Sequence, residues 1–253
     1  MNKDLIKARF TKSLSTYDEN ARIQKKMAER LVSLLDIISC ENILEIGCGT
    51  GFLTELLTKK LQFKTYTALD IVKDCETYIK NINSQINFIN ADIEDFISTD
   101  KETYDLIISN ASLQWVDNFE EVINNLRQKL TKNGTLLIST FGRENFREIG
   151  LITGTTLDYY SPQELEAMFT SCEVYPEIHI MAFNTPKDVL KHLQLTGVNA
   201  IESKSWTKKD LTKFENAYNS ICPNRPTLTY NPIYIKLEPA RSFTIEDDPC
   251  LRA

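Results

Sequence analysis

The chain has 253 residues, 42% hydrophobic and 25% charged, the values of an average globular domain long enough to bury one sizeable core. A net charge of −6 gives no global pull toward nucleic acid, the N-terminus MNKDLIKARF is charged and unlike a signal peptide, and no apolar run is long enough to span a bilayer. A cytoplasmic protein is therefore expected, with no nucleic-acid and no membrane partner, and with no metal, because the two histidines (His179, His192) and six scattered cysteines contain no C-x-x-C pair.

In chain order, Thr16-Tyr17-Asp18-Glu19 reads as a capping box, with Thr16 as the N-cap of a helix whose apolar face is Ile23, Met27, Leu31 and Leu34. Arg22, Lys25, Lys26 and Arg30 lie mostly outside that stripe and read as a solvated face. Strand and helix signals then alternate, the pattern of a parallel sheet covered on both faces. Strands are predicted over 42–47, 65–70, 86–90, 104–109 and 135–141, with helices over 52–61, 73–81 and 118–130. Tyr104–Ser109 is apolar nearly throughout, as expected of a strand buried on both faces. Ser161-Pro162-Gln163-Glu164 starts a further helix with Pro at its first position. A sixth strand is predicted over 173–183, helices over 186–195 and 208–221, and a last strand over 228–236.

The expected fold is α/β, a doubly wound, mostly parallel seven-stranded sheet forming one domain over 1–237. Residues 1–40 are its N-terminal helical cap. The insert 184–226 is long for a connector and reads as a lid over the ligand crevice. Residues 238–253 read as a candidate disordered tail.

Glu45-Ile46-Gly47-Cys48-Gly49-Thr50-Gly51 lies between the first strand and the first core helix, where glycines allow a tight turn and close approach of a ligand to a helix N-terminus. The spacing is G-x-G-x-G after an acid, which separates it from the G-x-G-x-x-G of nicotinamide-dependent oxidoreductases. Asp70 closes the second strand, where a carboxylate can accept from ribose hydroxyls. Asp92 follows the third strand, placed to read an adenine edge, and Asn110 ends the fourth. Either aspartate alone is an ordinary turn or N-cap residue; all four elements in register at strand C-termini point to a nucleoside cofactor.

This combination resembles class I S-adenosylmethionine methyltransferases, whose Rossmann-like core it matches over residues 42–141. The resemblance implies S-adenosylmethionine, leaving as S-adenosylhomocysteine, held by Tyr17, Gln24, Glu45, Gly47, Gly49, Gly51, Asp70, Ile71, Asp92, Ile93, Asn110 and Gln114. A narrower resemblance runs over nearly the whole chain. Arg9-Phe10, Ser15-Thr16-Tyr17-Asp18, Ala21 and Gln24 look like the opening of malonyl-acyl-carrier-protein O-methyltransferases of biotin synthesis. Asn110–Trp115 is similar to that family and to trans-aconitate methyltransferases alike. Ser139–Gly142, Phe146–Ile149, Val189–Leu193, Thr196–Ala200 and Leu228–Tyr234 also resemble it, with Asn231 where typical members have His.

The resemblance implies methyl transfer to the free carboxylate of a malonyl thioester on acyl carrier protein or coenzyme A, giving the ester used to prime pimeloyl synthesis. A malonyl carboxylate is ionised at pH 7, so no general base is expected. Arg143 and Arg147, after the fifth strand, are the candidates for orienting it, with Tyr17 closing over the cofactor's methionine end and Trp115 and Phe141 walling the channel. Lys187, Lys191, Lys204, Lys208, Lys209 and Lys213 of the lid are candidates for meeting an acidic carrier. The alternatives left open are a methyltransferase of a small free acid such as trans-aconitate and a non-catalytic nucleoside-binding or assembly module.

Overall fold

A computed structural model describes residues 2–197 and 207–239. Two helices, α1 (Lys3–Asn20) and α2 (Arg22–Ser33), precede β1 (Ser39–Ile46), α3 (Phe52–Lys60), β2 (Gln62–Asp70), α4 (Cys75–Ile82), β3 (Asn87–Asn90), α5 (Ile93–Thr99), β4 (Tyr104–Asn110), α6 (Phe119–Gln128) and β5 (Leu130–Phe141). Then follow α7 (Arg147–Thr153), α8 (Pro162–Met168), β6 (Cys172–Pro176), β7 (His179–Ala182), α9 (Pro186–Leu195), α10 (Lys208–Ile221), β8 (Thr227–Tyr230) and β9 (Pro232–Leu237).

The main sheet has seven strands in the order β3-β2-β1-β4-β5-β9-β6. Strands β1 to β5 pair in parallel, and β9 enters antiparallel between β5 and β6. The chain reverses direction across the sheet between β1 and β4, so the C-terminal ends of these strands frame a crevice where open α/β folds bind ligands. The expected doubly wound architecture is present.

The period-two alternation of buried strands sorts two cores. Leu106 and Ile108 of β4 face one, with Ile23, Met27 and Leu31 of α2, Leu53 and Leu57 of α3, Val189 of α9 and Phe214 of α10. Ile107, one residue out of phase, faces the other, with Ile97 of α5, Val122, Ile123 and Leu126 of α6 and Leu165 of α8. Each fully buried Leu or Ile contributes about 1.5–3 kcal/mol relative to exposure, so both helical layers are held by the strands' own apolar runs.

Several expectations are corrected. Thr16 is no N-cap: it lies inside α1, its hydroxyl donating to the Ser13 and Leu195 carbonyls, while Asn2 caps that helix and the helix ends at Ala21, where α2 begins. Capping boxes form instead at Ser161/Glu164, Thr185/Asp188 and Thr207/Asp210. Helix α5, short and opened by Asp92, was not anticipated. The long sixth and last strands each divide: β6 and β9 stay in the main sheet, whereas β7 and β8 leave it as a two-stranded ribbon. Asn231 marks the break between β8 and β9, its Nδ2 donating to the Glu177 carbonyl between β6 and β7.

Helices α9 and α10 occupy the insert between β7 and β8. Val198-Asn199-Ala200, Lys204, Cys250 and the tail from residue 240 lie outside the described residues. No helix among the described residues is long and apolar enough to cross a membrane.

Candidate functional site

The loop after β1 is tied to the end of β2. Gly47 and Cys48 donate their backbone N–H groups to the Leu69 carbonyl, 2.8 and 3.2 Å away. Gly49 N donates to Asp70 Oδ2 and Val72 N to Asp70 Oδ1, both at 2.8 Å. Burial pushes the Asp70 carboxyl up, against the pull of those two N–H donors. The Cys75 thiol also donates to this carboxylate, and a lone pair remains for a further donor such as a ribose hydroxyl.

The glycines divide by what a side chain would meet. Gly49, at φ 54°, has nothing within 4 Å of where a Cβ would stand, so that atom would project into open space. Gly51, at φ 84°, opens α3 and is pressed against Ile79 and Ile82 of α4. Glu45 is buried under the loop, where its Oε2 accepts from Thr54 Oγ1 at 2.6 Å and Tyr66 OH at 2.5 Å. Burial pushes its carboxyl up to about 7, outweighing the two hydrogen bonds.

Above this loop lies a cavity whose empty volume, open solvent at its mouth included, is ≈ 1220 Å³. Tyr17, Gln24, Glu45, Gly47, Gly49, Asp70, Ile71, Asp92, Ile93 and Asn110 all line it. The structure thus brings together residues from α1, α2 and the C-terminal ends of four strands. A smaller cavity adjoins it, lined by Gln114, Phe141, Asn145, Phe146, Tyr159 and Thr196 and sharing Phe10, Tyr17, Gln24, Ala111 and Trp115 with the first.

Some expected residues stand elsewhere or are already engaged. Gly51 does not line the large cavity, and Gln114 lines only the smaller one, its Nε2 donating to the Ala111 carbonyl. Asp92 Oδ1 caps α5 at Glu94 N, and its Oδ2 pairs with Lys3 Nζ at 2.6 Å. Asn110 joins the end of β4 to its neighbours, Nδ2 donating to the Gln24 carbonyl and Oδ1 accepting from Ser139 Oγ. Arg143 and Arg147 line neither cavity. Arg143 is 62% exposed and forked onto Glu164; Arg147 is 53% exposed beside Glu144 and Glu148.

Sequence reasoning missed most of what α1 brings: Lys3, Ile6, Phe10, Ser13 and Leu14 line the large cavity in a stripe that continues to Tyr17. Their spacing is helical, a readable signal had the helix been started at Asn2. Asp18 accepts from Thr50 Oγ1 at 2.7 Å, clasping the glycine loop to α1, a contact with no local signal. Among the described residues no cluster of three His, Cys, Asp or Glu is arranged to hold a metal.

The residues present fit a nucleoside-bearing group. Gly49 offers bare backbone to open space, and the buried Gln24 Oε1 at the junction of the cavities has no hydrogen-bond partner among the described residues.

Comparison with known proteins shows the family to which the chain belongs. A methyltransferase-domain family model matches residues 17–173. A malonyl-[acyl-carrier protein] O-methyltransferase of Calditerrivibrio nitroreducens is 39% identical over 90% of this chain and 94% of its own length. One of the same name from Chlorobium luteolum is 34% identical over 92% and 94%. The crystal structure of the YcgJ protein from Bacillus subtilis superposes with a TM-score of 0.58 over 85% of this chain and 99% of that one; at 10% identity it shows the shared fold.

Proposed function

The chain belongs to the malonyl-[acyl-carrier protein] O-methyltransferase family, and from that membership we propose that it transfers the methyl group of S-adenosylmethionine to the free carboxylate of a malonyl thioester borne by acyl carrier protein or coenzyme A. The observation that supports this most directly is the meeting of Gly49, Asp70, Asp92 and Tyr17 around one cavity at the strand ends.

When bound, the cofactor supplies an electrophilic methyl group on a sulfonium. The chain's own work is to hold and to exclude. Asp70, already fixed by two backbone N–H groups, would receive a ribose hydroxyl on its remaining lone pair. Gly49 lets the chain pass close to the ligand. In this reading Asp92, Ile71 and Ile93 would border the base, and Tyr17 and Gln24, which line both cavities, would flank the reacting centre. An ionised malonyl carboxylate needs no proton removed, so the catalytic task is alignment and removal of water. Phe10, Phe141, Phe146 and Trp115 give that space apolar walls. Thr196, at the C-terminal end of α9, lines the smaller cavity, and Gly197 packs against Phe10 and Ser13 of α1.

The test is transfer of radiolabelled methyl to malonyl-acyl carrier protein, with acetyl-acyl carrier protein and trans-aconitate alongside. Base-labile label on the malonyl thioester alone is the expected result. Label on trans-aconitate instead would overturn the substrate and keep the cofactor.

A further inference from the structure

We propose that the smaller cavity seats the acceptor carboxylate and reads it with neutral donors, led by the indole Nε1 of Trp115, with no arginine in contact. This rests on the methyl-transfer reading above and names the subsite it requires.

Among the described residues, Gln24 Oε1, Gln114 Oε1 and Trp115 Nε1 are buried polar atoms without a hydrogen-bond partner. All three residues line the smaller cavity, and Gln24 and Trp115 line the larger one as well. Buried polar groups are ordinarily paired, so Trp115 Nε1 and the Gln24 amide mark a place completed by a ligand. Gln114 Oε1 is an acceptor, held by its own Nε2 donating to the Ala111 carbonyl, and takes no part in reading a carboxylate. Gln24 is only 6% exposed, which shuts out bulk water as its partner.

A second observation is independent of hydrogen bonding. Among the described residues, three that are not glycine have positive φ, and two of them, Ala111 at 49° and Phe146 at 56°, line this cavity. A left-handed phenylalanine is held only where surrounding packing over-determines it, and such strain gathers at functional sites. Here the Phe146 ring packs edge-on against Tyr230, 4.9 Å between centroids.

The donor chemistry suits a nucleophilic carboxylate. The indole N–H can only donate, so its absent partner is an acceptor. A half-turn of the Gln24 amide surrenders no bond at Oε1 and presents Nε2 to the same space. Neutral donors orient the anion without a guanidinium's full charge, which would draw electron density from the attacking oxygen. One carboxylate oxygen gives its lone pair to the new O–CH3 bond while the S–CH3 bond breaks and sulfur keeps that pair. No proton moves, and anion and sulfonium both end uncharged. The neutral ester then accepts more weakly from Trp115 and leaves.

The chain has two tryptophans, Trp115 and Trp206, the second outside the described residues. In a Trp206→Phe background, emission therefore reports Trp115 alone. With S-adenosylhomocysteine bound, malonyl-coenzyme A is expected to shift that emission saturably, and acetyl-coenzyme A is not. In parallel, Trp115→Phe should raise KM for the malonyl thioester about tenfold to a hundredfold, the value of a hydrogen bond to a charged group, with S-adenosylhomocysteine affinity by calorimetry unchanged. An equal response to acetyl and malonyl thioesters, or a KM raised in Arg147→Gln and not in Trp115→Phe, overturns the proposal. A Trp206→Phe protein inert on malonyl thioesters whose Trp115 emission still responds to trans-aconitate would retain the subsite and refute the assigned substrate.

Discussion

Lys3 Nζ stands 2.6 Å from Asp92 Oδ2, so the first turn of α1 is bolted to the N-cap of α5, just past β3, and both residues line the large cavity. Burial works to lower the Lys3 pKa, and hydrogen bonds and charges from Asp92 and Glu94 outweigh it, leaving the ammonium firmly charged. Lys3→Met should free the start of α1, which carries Ile6, Phe10 and Tyr17 into the site. For a single partly exposed pair the loss is about 1 kcal/mol, or about fivefold in cofactor affinity. Calorimetry with S-adenosylhomocysteine measures it, and limited proteolysis should cut α1 faster in the variant. Unchanged affinity and cleavage would show the bolt to be idle.

Gly49 and Gly51 should fail in different ways. Gly49→Ala adds a Cβ facing open space and costs only left-handed strain, about 1–2 kcal/mol. Its melting temperature should fall modestly while cofactor affinity drops at least about tenfold, because that Cβ enters ligand volume. Gly51→Ala drives a methyl into Ile79 and Ile82 of α4, so its stability should fall further, with affinity of the folded fraction better preserved. Thermal melts paired with titration calorimetry separate the two.

Glu45 gives a pH dependence of stability. Its folded pKa of about 7 lies above the ordinary carboxylate value, so the folded state holds a proton that the unfolded chain releases near pH 4.5. Stability from this group is therefore present at low pH and is lost as pH rises from about 4.5 through about 7, then stays level. Glu45→Gln should abolish that slope. Melting temperatures at pH 5, 6, 7 and 8 test it; parallel profiles for the two proteins would refute it.

The lysines at the start of α10 are candidates for meeting an acidic carrier. Lys208 and Lys209 are exposed at the start of α10, beyond its cap Thr207, whereas Lys187 is paired with Glu215 at 3.6 Å. A Lys208→Glu/Lys209→Glu variant should raise KM for carrier-bound malonate about tenfold at low salt and leave malonyl-coenzyme A turnover unchanged. The effect should fade as salt approaches about 0.5 M, where exposed charges are screened. Unaltered kinetics on the carrier-borne substrate would remove these residues from the docking face.

The parts of this molecule that were readable from sequence are those in which one short segment carries both pattern and constraint. Strand β4 announced itself by an apolar run, and the glycine loop and Asp70 by their positions at strand ends. Helix α1 was hidden because its polar surface dominates its composition and Ser15-Thr16 imitates a helix start. What stayed illegible depends on distant partners. Nothing local to Asp92 tells of Lys3, nothing near Trp115 shows that its Nε1 is buried, and nothing after β5 says that Arg143 turns outward to Glu164. The split at Asn231 likewise depends on Glu177, a partner reached only through folding.

The place of β9 has a consequence for how the chain is made. This strand, residues 232–237, lies between β5 and β6, and both must wait for it to emerge from the ribosome. Until then the first five strands can assemble with their helices, while β5 keeps a bare hydrogen-bonding edge and the hydrophobic faces of Ile233, Ile235 and Leu237 are missing from the core. Folding is thus completed from the C-terminal side. Loss of these six residues would leave an open, sticky sheet in nascent and truncated chains alike.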